Sequence, residues 1–275
     1  MELFDLLKAL LLGFVEGMTE FAPVSSTGHL IIVDDMWLKT SEFLGKSSAN
    51  SFKIFIQLGS ILAVIVVFWK RLFSLVGLYK IKDVTPGSQL KLSHVIVGLI
   101  PAGVLGLLFE DFIDENLFSV KTVLIGLVIG AFLMLAADKF GPKVPKTQTL
   151  DQITYKQAFT VGLVQCFSLW PGFSRSGATI SGGVLFGMSH RTAADFTFIM
   201  AVPIMFGASF LSLLKNWGDI RPDDLSFYVV GFISAFVFAL ISIKFFLKLV
   251  EYLKLTPFAI YRLVLAAVLA VIIYF

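Results

Sequence analysis

Apolar residues run along this chain in blocks, without the strict alternation of strands. Six blocks, at about 52–69, 92–113, 118–138, 193–214, 225–247 and 257–275, reach or approach the ~20 residues that a bilayer-crossing helix needs. Charges or turn residues close each of them. Lys70-Arg71 end the first, and Pro86-Gly87 lie in the loop after it. Pro142 and Pro145 break the chain after the third, and Asn216 to Asp224, with Gly218 and Pro222, part the fourth from the fifth.

Two further regions are apolar but interrupted. Residues 5–38 carry Glu16, Glu20, Pro23, Gly28 and His29; residues 155–189 carry Pro171, Gly172, Arg175 and Gly177. Each predicts two short helices, of about ten to fifteen residues, around a polar break. Irregular backbone at membrane depth is tolerated only where it is buried in protein or lines a cavity. Both regions therefore predict re-entrant hairpins.

The two interrupted regions also repeat one another. At an offset of 149 residues, Gly13-Phe-Val-Glu16 falls on Gly162-Leu-Val-Gln165, and Ser25, Thr27 and Gly28 fall on Ser174, Ser176 and Gly177. Downstream, His94-Val-Ile-Val-Gly98 resembles Phe227-Tyr-Val-Val-Gly231. The pattern predicts an all-α, polytopic membrane protein with one domain over 1–275. It consists of two internal copies, at about 1–141 and 150–275, each a re-entrant hairpin plus three transmembrane helices. Three full spans reverse the side from which the next copy starts, so the copies form an inverted-topology repeat.

Composition agrees with lipid as the main solvent. Only 15% of residues are charged and 57% are hydrophobic, against roughly 25% charged in a soluble domain. A net charge of +3 is too small to argue for nucleic acid. The single cysteine, Cys166, excludes an internal disulfide and a cysteine-based zinc site. The start Met1-Glu-Leu-Phe-Asp5 lacks the basic n-region of a cleaved signal peptide. Loops 70–91, 139–156 and 244–254 carry five, four and three Lys/Arg; loops 39–53, 110–121 and 215–224 carry three, one and two. The positive-inside rule places the richer set in the cytoplasm and both termini outside.

Candidate chemistry sits in the breaks. Glu16 and Glu20, at i and i+4, share one helix face, where like charges repel. At membrane depth they need a divalent cation or an arginine. Pro23-Val-Ser25-Ser26-Thr27-Gly28-His29 stops one helix and offers hydroxyl caps for the next. The start of a helix presents free N–H groups and the positive end of its dipole to an anion. Trp170-Pro171-Gly172-Phe173-Ser174-Arg175-Ser176-Gly177 repeats that plan with an arginine suited to phosphate. Facing one another, the breaks predict a site for a phosphate head on an apolar tail. The hydroxyls and Arg175 would grip phosphate, and His29 would move protons.

With these motifs the chain resembles the bacterial undecaprenyl-diphosphate phosphatase family, linked to bacitracin resistance. The resemblance covers essentially the whole chain and rests on Gly13-Phe-Val-Glu16-Gly-Met-Thr-Glu20-Phe-Ala-Pro23-Val-Ser-Ser-Thr-Gly-His29 and Pro171-Gly-Phe-Ser-Arg-Ser-Gly-Ala-Thr179. Gln57-Leu-Gly59, Pro101-Ala-Gly-Val-Leu-Gly106 and Thr256-Pro-Phe-Ala-Ile-Tyr-Arg262 lend support. It implies a multi-pass hydrolase of the bacterial inner membrane, with its site open to the outer side and a divalent cation, Mg or Ca. It also implies cleavage of undecaprenyl diphosphate to the monophosphate and inorganic phosphate, recycling the carrier for cell-wall synthesis. The expected catalytic set is Glu16, Glu20, Ser26, His29 and Arg175, with the metal on Glu16 and Glu20. Ser25, Thr27, Ser174, Ser176 and Gly177 are expected to bind substrate. Ser26 is the preferred nucleophile with His29 as its base; attack by metal-bound water is the rival. Membrane lipid is a further partner, and a homodimer is compatible with the sequence. The alternative function is a transporter or flippase of a prenyl phosphate lipid. A haloperoxidase-type lipid phosphatase is rejected, because Lys215, Arg221-Pro222 and His190 have neither the order nor the spacing it needs.

Overall fold

The computed structural model describes residues 2–81, 89–117, 119–216, 218 and 221–274. The Pro86-Gly87 turn lies outside the described residues, as do 118 and 275 at the ends of two predicted spans and 217, 219 and 220 in the 216–224 loop.

The described residues form twelve α-helices and no strand. In chain order these are α1 (Leu3–Thr19), α2 (Ser26–Leu30), α3 (Thr40–Leu44), α4 (Lys46–Leu75), α5 (Leu92–Leu108) and α6 (Glu110–Asn116). Then come α7 (Val120–Phe140), α8 (Tyr155–Gln165), α9 (Arg175–Leu185), α10 (His190–Lys215), α11 (Leu225–Leu253) and α12 (Thr256–Tyr274). Five helices, α4, α7, α10, α11 and α12, are long and apolar enough to cross a membrane. Their apolar windows are only 22–44% buried within the protein. The remaining apolar surface, such as Val264, Val268 and Ile272 on α12, faces outward and finds its solvent in lipid.

The block predicted at 92–113 is shorter than expected. α5 ends at Leu108, because Phe109 leaves helical geometry at φ −118° and ψ 18°. Glu110 and Asp111 then open the separate helix α6, where negative charge favours the positive end of the new helix dipole.

Helices pack in cross-linked pairs. α1 lies along α11, α8 along α5, α4 along α10 and α7 along α12. Close approach needs small residues, since lipid provides no hydrophobic drive between helices. A Cβ on Gly17 would come within 2.5 Å of the Ala235 carbonyl oxygen. Ser234 and Ser242 of α11 donate to the Leu10 and Met18 carbonyls of α1 at 2.7 and 2.9 Å. The main core gathers Phe196, Phe198, Ile199 and Met200 of α10 with Val64, Ala131, Ile180 and Ile243.

Both interrupted regions are broken helices. After α1, residues 20–25 leave the helix, and α2 runs on as a wider π-helical stretch over Ile31–Leu38. The first arm stops at Thr19, before the Pro23 that the sequence suggested. After α8 a 3₁₀ turn over Cys166–Leu169 leads into the break before α9.

Candidate active site

Each break ends on a serine held with positive φ, Ser25 at 72° and Ser174 at 71°. This region is unfavourable for residues with a side chain and persists where surrounding structure enforces it. Each serine then caps the next helix. Ser25 Oγ accepts the Gly28 N–H at 3.4 Å, and Ser174 Oγ accepts the Gly177 N–H at 3.2 Å. The first helical residue beyond each cap is Ser26 in one break and Arg175 in the other.

Glu20 joins the two breaks. Its Oε2 accepts the Ser26 hydroxyl at 2.5 Å, and its Oε1 accepts Arg175 Nη2 at 3.0 Å. The Glu20 and Arg175 side chains are only 8% and 15% exposed, so this is a largely desolvated ion pair. Ser176 adds a second tie, donating to the Ala22 carbonyl at 3.2 Å, and its Oγ lies 3.2 Å from that of Ser174.

Two cavities meet at this junction. One, of about 270 Å³, is lined by Glu20, Ser25, Ser26, Thr27, Ser174 and Arg175, together with Gln57 and Gln165. The other, of about 290 Å³, shares Ser26, Thr27 and Gln57 and adds Glu16, Asn50 and Lys53. Three buried polar atoms here lack a hydrogen-bond partner among the described residues: Glu16 Oε1, Gln165 Oε1 and Arg175 Nη1. An unpaired buried polar atom costs about 1–3 kcal/mol, more when charged. A ligand that both accepts from Arg175 and approaches the carboxylates would satisfy these atoms.

One expected contact is replaced. Ser26 does not meet His29. The ring of His29 is engaged on both nitrogens, Nδ1 donating to the Ser25 carbonyl at 2.8 Å and Nε2 lying 2.7 Å from the Tyr261 hydroxyl. With Nδ1–H committed to a carbonyl, the neutral ring takes the Tyr261 proton at Nε2. The carboxylate of Glu20 occupies the place beside Ser26. Ser176 and Gly177 stand behind the cavity wall, one tying the breaks together and the other serving the cap.

Arg262 was not singled out as a site residue from sequence. It is fully buried on α12. Its Nη2 lies 2.9 Å from the Gly172 carbonyl oxygen, 2.8 Å from that of Phe173 and 3.2 Å from that of Gly126. It thereby pins the second break to α7. An isolated arginine inside the apolar block 257–275 was the available signal. Gln57 and Gln165 were likewise readable as amides within apolar runs, and Gln165 falls on the repeat position of Glu16.

For a divalent cation the donor set fits, on the strength of the orphaned Glu16 oxygen beside hydroxyl and amide oxygens. Among the described residues no three His, Cys, Asp or Glu side chains converge. Glu16 and Glu20 would therefore supply only part of the coordination of such a cation, as one or two carboxylates do for Mg.

Residues 9–268 match the sequence model of the family described as bacitracin resistance protein BacA. The chain belongs to that family. This BacA-family chain is similar along its whole length to proteins named undecaprenyl-diphosphatase. It is 76% identical to that of Exiguobacterium sibiricum over 277 residues, covering 100% of both chains. It is 70% identical to that of a Geobacillus species over 273 residues, 99% of both. It is 60% identical to that of Bacillus subtilis over 274 residues, again 99% of both. With the five apolar helices, BacA membership makes it a multi-pass membrane protein.

Proposed function

We propose that this BacA-family protein hydrolyses undecaprenyl diphosphate to undecaprenyl phosphate and inorganic phosphate, at the junction of its two helix breaks. Recycling the carrier in this way serves cell-wall synthesis and underlies bacitracin resistance. The observation that carries the mechanism is the bridging of Ser26 and Arg175 by Glu20.

Glu20 Oε2 takes the proton of the Ser26 hydroxyl as Oγ attacks the terminal phosphorus. The anhydride P–O bond breaks and the lipid monophosphate leaves. Water then cleaves the phosphoserine, returning a proton to Oγ and releasing inorganic phosphate. Arg175 turns its unpartnered Nη1 to the transferring phosphoryl oxygens, and the N–H groups at the starts of α2 and α9 face the same charge. Ser25, Thr27 and Ser174 hold the diphosphate, while Gln57 and Gln165 offer amide donors. His29 acts by holding the first break through the Ser25 carbonyl. Glu16 and Glu20 would hold Mg or Ca, which would supply charge neutralisation for the phosphate. The rival route uses Glu20 as base for an attacking water, with Ser26 as a ligand.

The breaks are read as the tips of re-entrant hairpins in two inverted copies, 1–141 and 150–275. This reading is supported by part of the packing, although the close contact of α4 with α11 has only a weak counterpart between α10 and α5. The hairpin helix of each half lies along the middle span of the other (α1 on α11, α8 on α5), while α4 pairs with α10 and α7 with α12. The Lys/Arg asymmetry of the loops supports an orientation with loops 70–91, 139–156 and 244–254 in the cytoplasm, and the family resemblance supports a plasma (inner) membrane location with the site open to the outer side.

The test is phosphate release from undecaprenyl and shorter prenyl diphosphates by the purified protein, with and without chelator. Release is expected, lost on chelation and restored by Mg or Ca. No release from any of these substrates overturns the proposal.

A further inference from the structure

A second cavity system lies far from the breaks. It has a volume of about 640 Å³ and is formed by the end of α7, the start of α10, the end of α11 and the 141–148 segment. Helical rise measures its distance from the site. Thirteen residues of α7 separate Gly126, beside the second break, from Lys139, and fifteen residues of α10 separate Met205, beside Arg175, from His190. Both rulers give about 20 Å at 1.5 Å per residue.

Charge is scarce in this chain, yet seven titratable side chains line this one cavity: Asp138, Lys139, Lys143, His190, Arg191, Glu251 and Lys254. The negative charges are largely consumed within the protein. Asp138 Oδ2 accepts the Leu255 and Thr256 N–H groups and the Thr256 hydroxyl at 2.9, 2.7 and 2.6 Å, and Oδ1 lies 2.7 Å from His190 Nε2. Arg191 is held by Asp195 at 3.1 Å and approached by Glu251 at 3.8 Å. Lys139, Lys143 and Lys254 have no carboxylate partner among the described residues. Lys254 also sits at φ 59°, a backbone position that glycine would occupy with less strain.

We propose that this cavity is a second anion site, which binds a phosphate monoester through Lys139, Lys143 and Lys254. Three separate ammonium groups suit a compact dianion with several oxygens better than a flat carboxylate. The ligand is either the headgroup of an anionic lipid or free phosphate. Exposed Phe140, Val144 and Leu253 are the chain neighbours of the lining residues Lys139, Lys143 and Lys254 and would take the adjoining chains of a lipid. The site does not depend on the hydrolytic reading.

The test uses the full-length protein in phosphatidylcholine nanodiscs, with dioleoyl phosphatidic acid and inorganic phosphate as probes. Binding is counted by native mass spectrometry in the wild type and in the Lys143→Gln/Lys254→Gln double variant. A surface lysine contributes about fivefold to the affinity for an anionic lipid, so the pair should weaken binding about thirtyfold. Prenyl diphosphate hydrolysis should be unchanged, and it also reports correct folding. If the double variant loses hydrolysis, the single Lys143→Gln variant carries the comparison, with about a fivefold loss expected. Lysine-dependent phosphatidic acid binding that phosphate fails to displace assigns a lipid headgroup; displacement by phosphate assigns the free ion. Variants that bind both probes as tightly as wild type overturn the proposal.

Discussion

Replacing Arg262 by methionine tests whether the second break is held in place from α12. Methionine keeps an unbranched apolar stem, though a shorter one than that of arginine, and removes every donor. Nη2 has two protons for three carbonyl oxygens, at 2.8, 2.9 and 3.2 Å, so about two full bonds are lost. Gly172 and Phe173 belong to the break rather than to a helix, and their carbonyls lose this donor. At about 1–3 kcal/mol for each unsatisfied group, the break is destabilised by about 2–6 kcal/mol. Relief of guanidinium desolvation offsets part of this. The remaining loss falls on the loop that sets Ser174 and Arg175.

The expected consequence is catalytic. A catalytic group misplaced by about 1 Å costs on the order of 10²-fold in rate. Arg262→Met should therefore lower kcat by about that factor, with a smaller change in KM. Arg262→Lys, able to serve two carbonyls from one ammonium, should recover part of the loss. The assay is steady-state phosphate release from a prenyl diphosphate, with thermal unfolding measured in parallel. A wild-type kcat in Arg262→Met would refute the reasoning, as would a fall in melting temperature with turnover by the folded fraction unchanged.

Glu20→Gln keeps the shape of the bridge but removes the base and the countercharge of Arg175, so hydrolysis should fall by about 10²–10⁴-fold; phosphate release by the folded variant measures it, and near-normal turnover would remove Glu20 from the mechanism. Rapid quenching followed by mass spectrometry should trap phosphate on Ser26, whereas labelled oxygen from water reaching phosphate with no phospho-enzyme would select the water route. Gly17→Leu drives a side chain into the Ala235 backbone and should cost about 1–3 kcal/mol or more by overpacking; an unchanged melting temperature would show that α1 and α11 can part without penalty.

Much of this architecture was legible because lipid narrows what a sequence can do. The five long spans were visible as apolar blocks, and both breaks were visible as the places where proline and polar residues invade them. The early end of α5 had a local signal, the Glu110-Asp111 pair that opens a new helix. The partner of Ser26 had no such signal. His29 is nearer in sequence to Ser26, but the positive φ of Ser25 and the Tyr261 hydroxyl from a distant helix determine where its ring goes. Arg262 was hidden for the same reason: its partners lie 89 and 90 residues away around the second break, and only the packing of α12 on α7 brings them within reach.

The 149-residue correspondence extends into the site itself. The backbones of the two breaks match down to the strained serine cap, but the side chains do not. Glu16 falls on Gln165, Glu20 on Leu169, and Ser26 on Arg175. One break thus brings the carboxylates and the serine, and the other brings the arginine and an amide. At low exposure, removing either member of the Glu20–Arg175 pair leaves a charge without its partner, a loss of about 3–5 kcal/mol in buried pairs. With the roles proposed above, the asymmetry that would separate base from phosphate grip also ties the two breaks together. A chain with two identical breaks would put like charges face to face, so the Glu20–Arg175 tie between the breaks depends on their divergence.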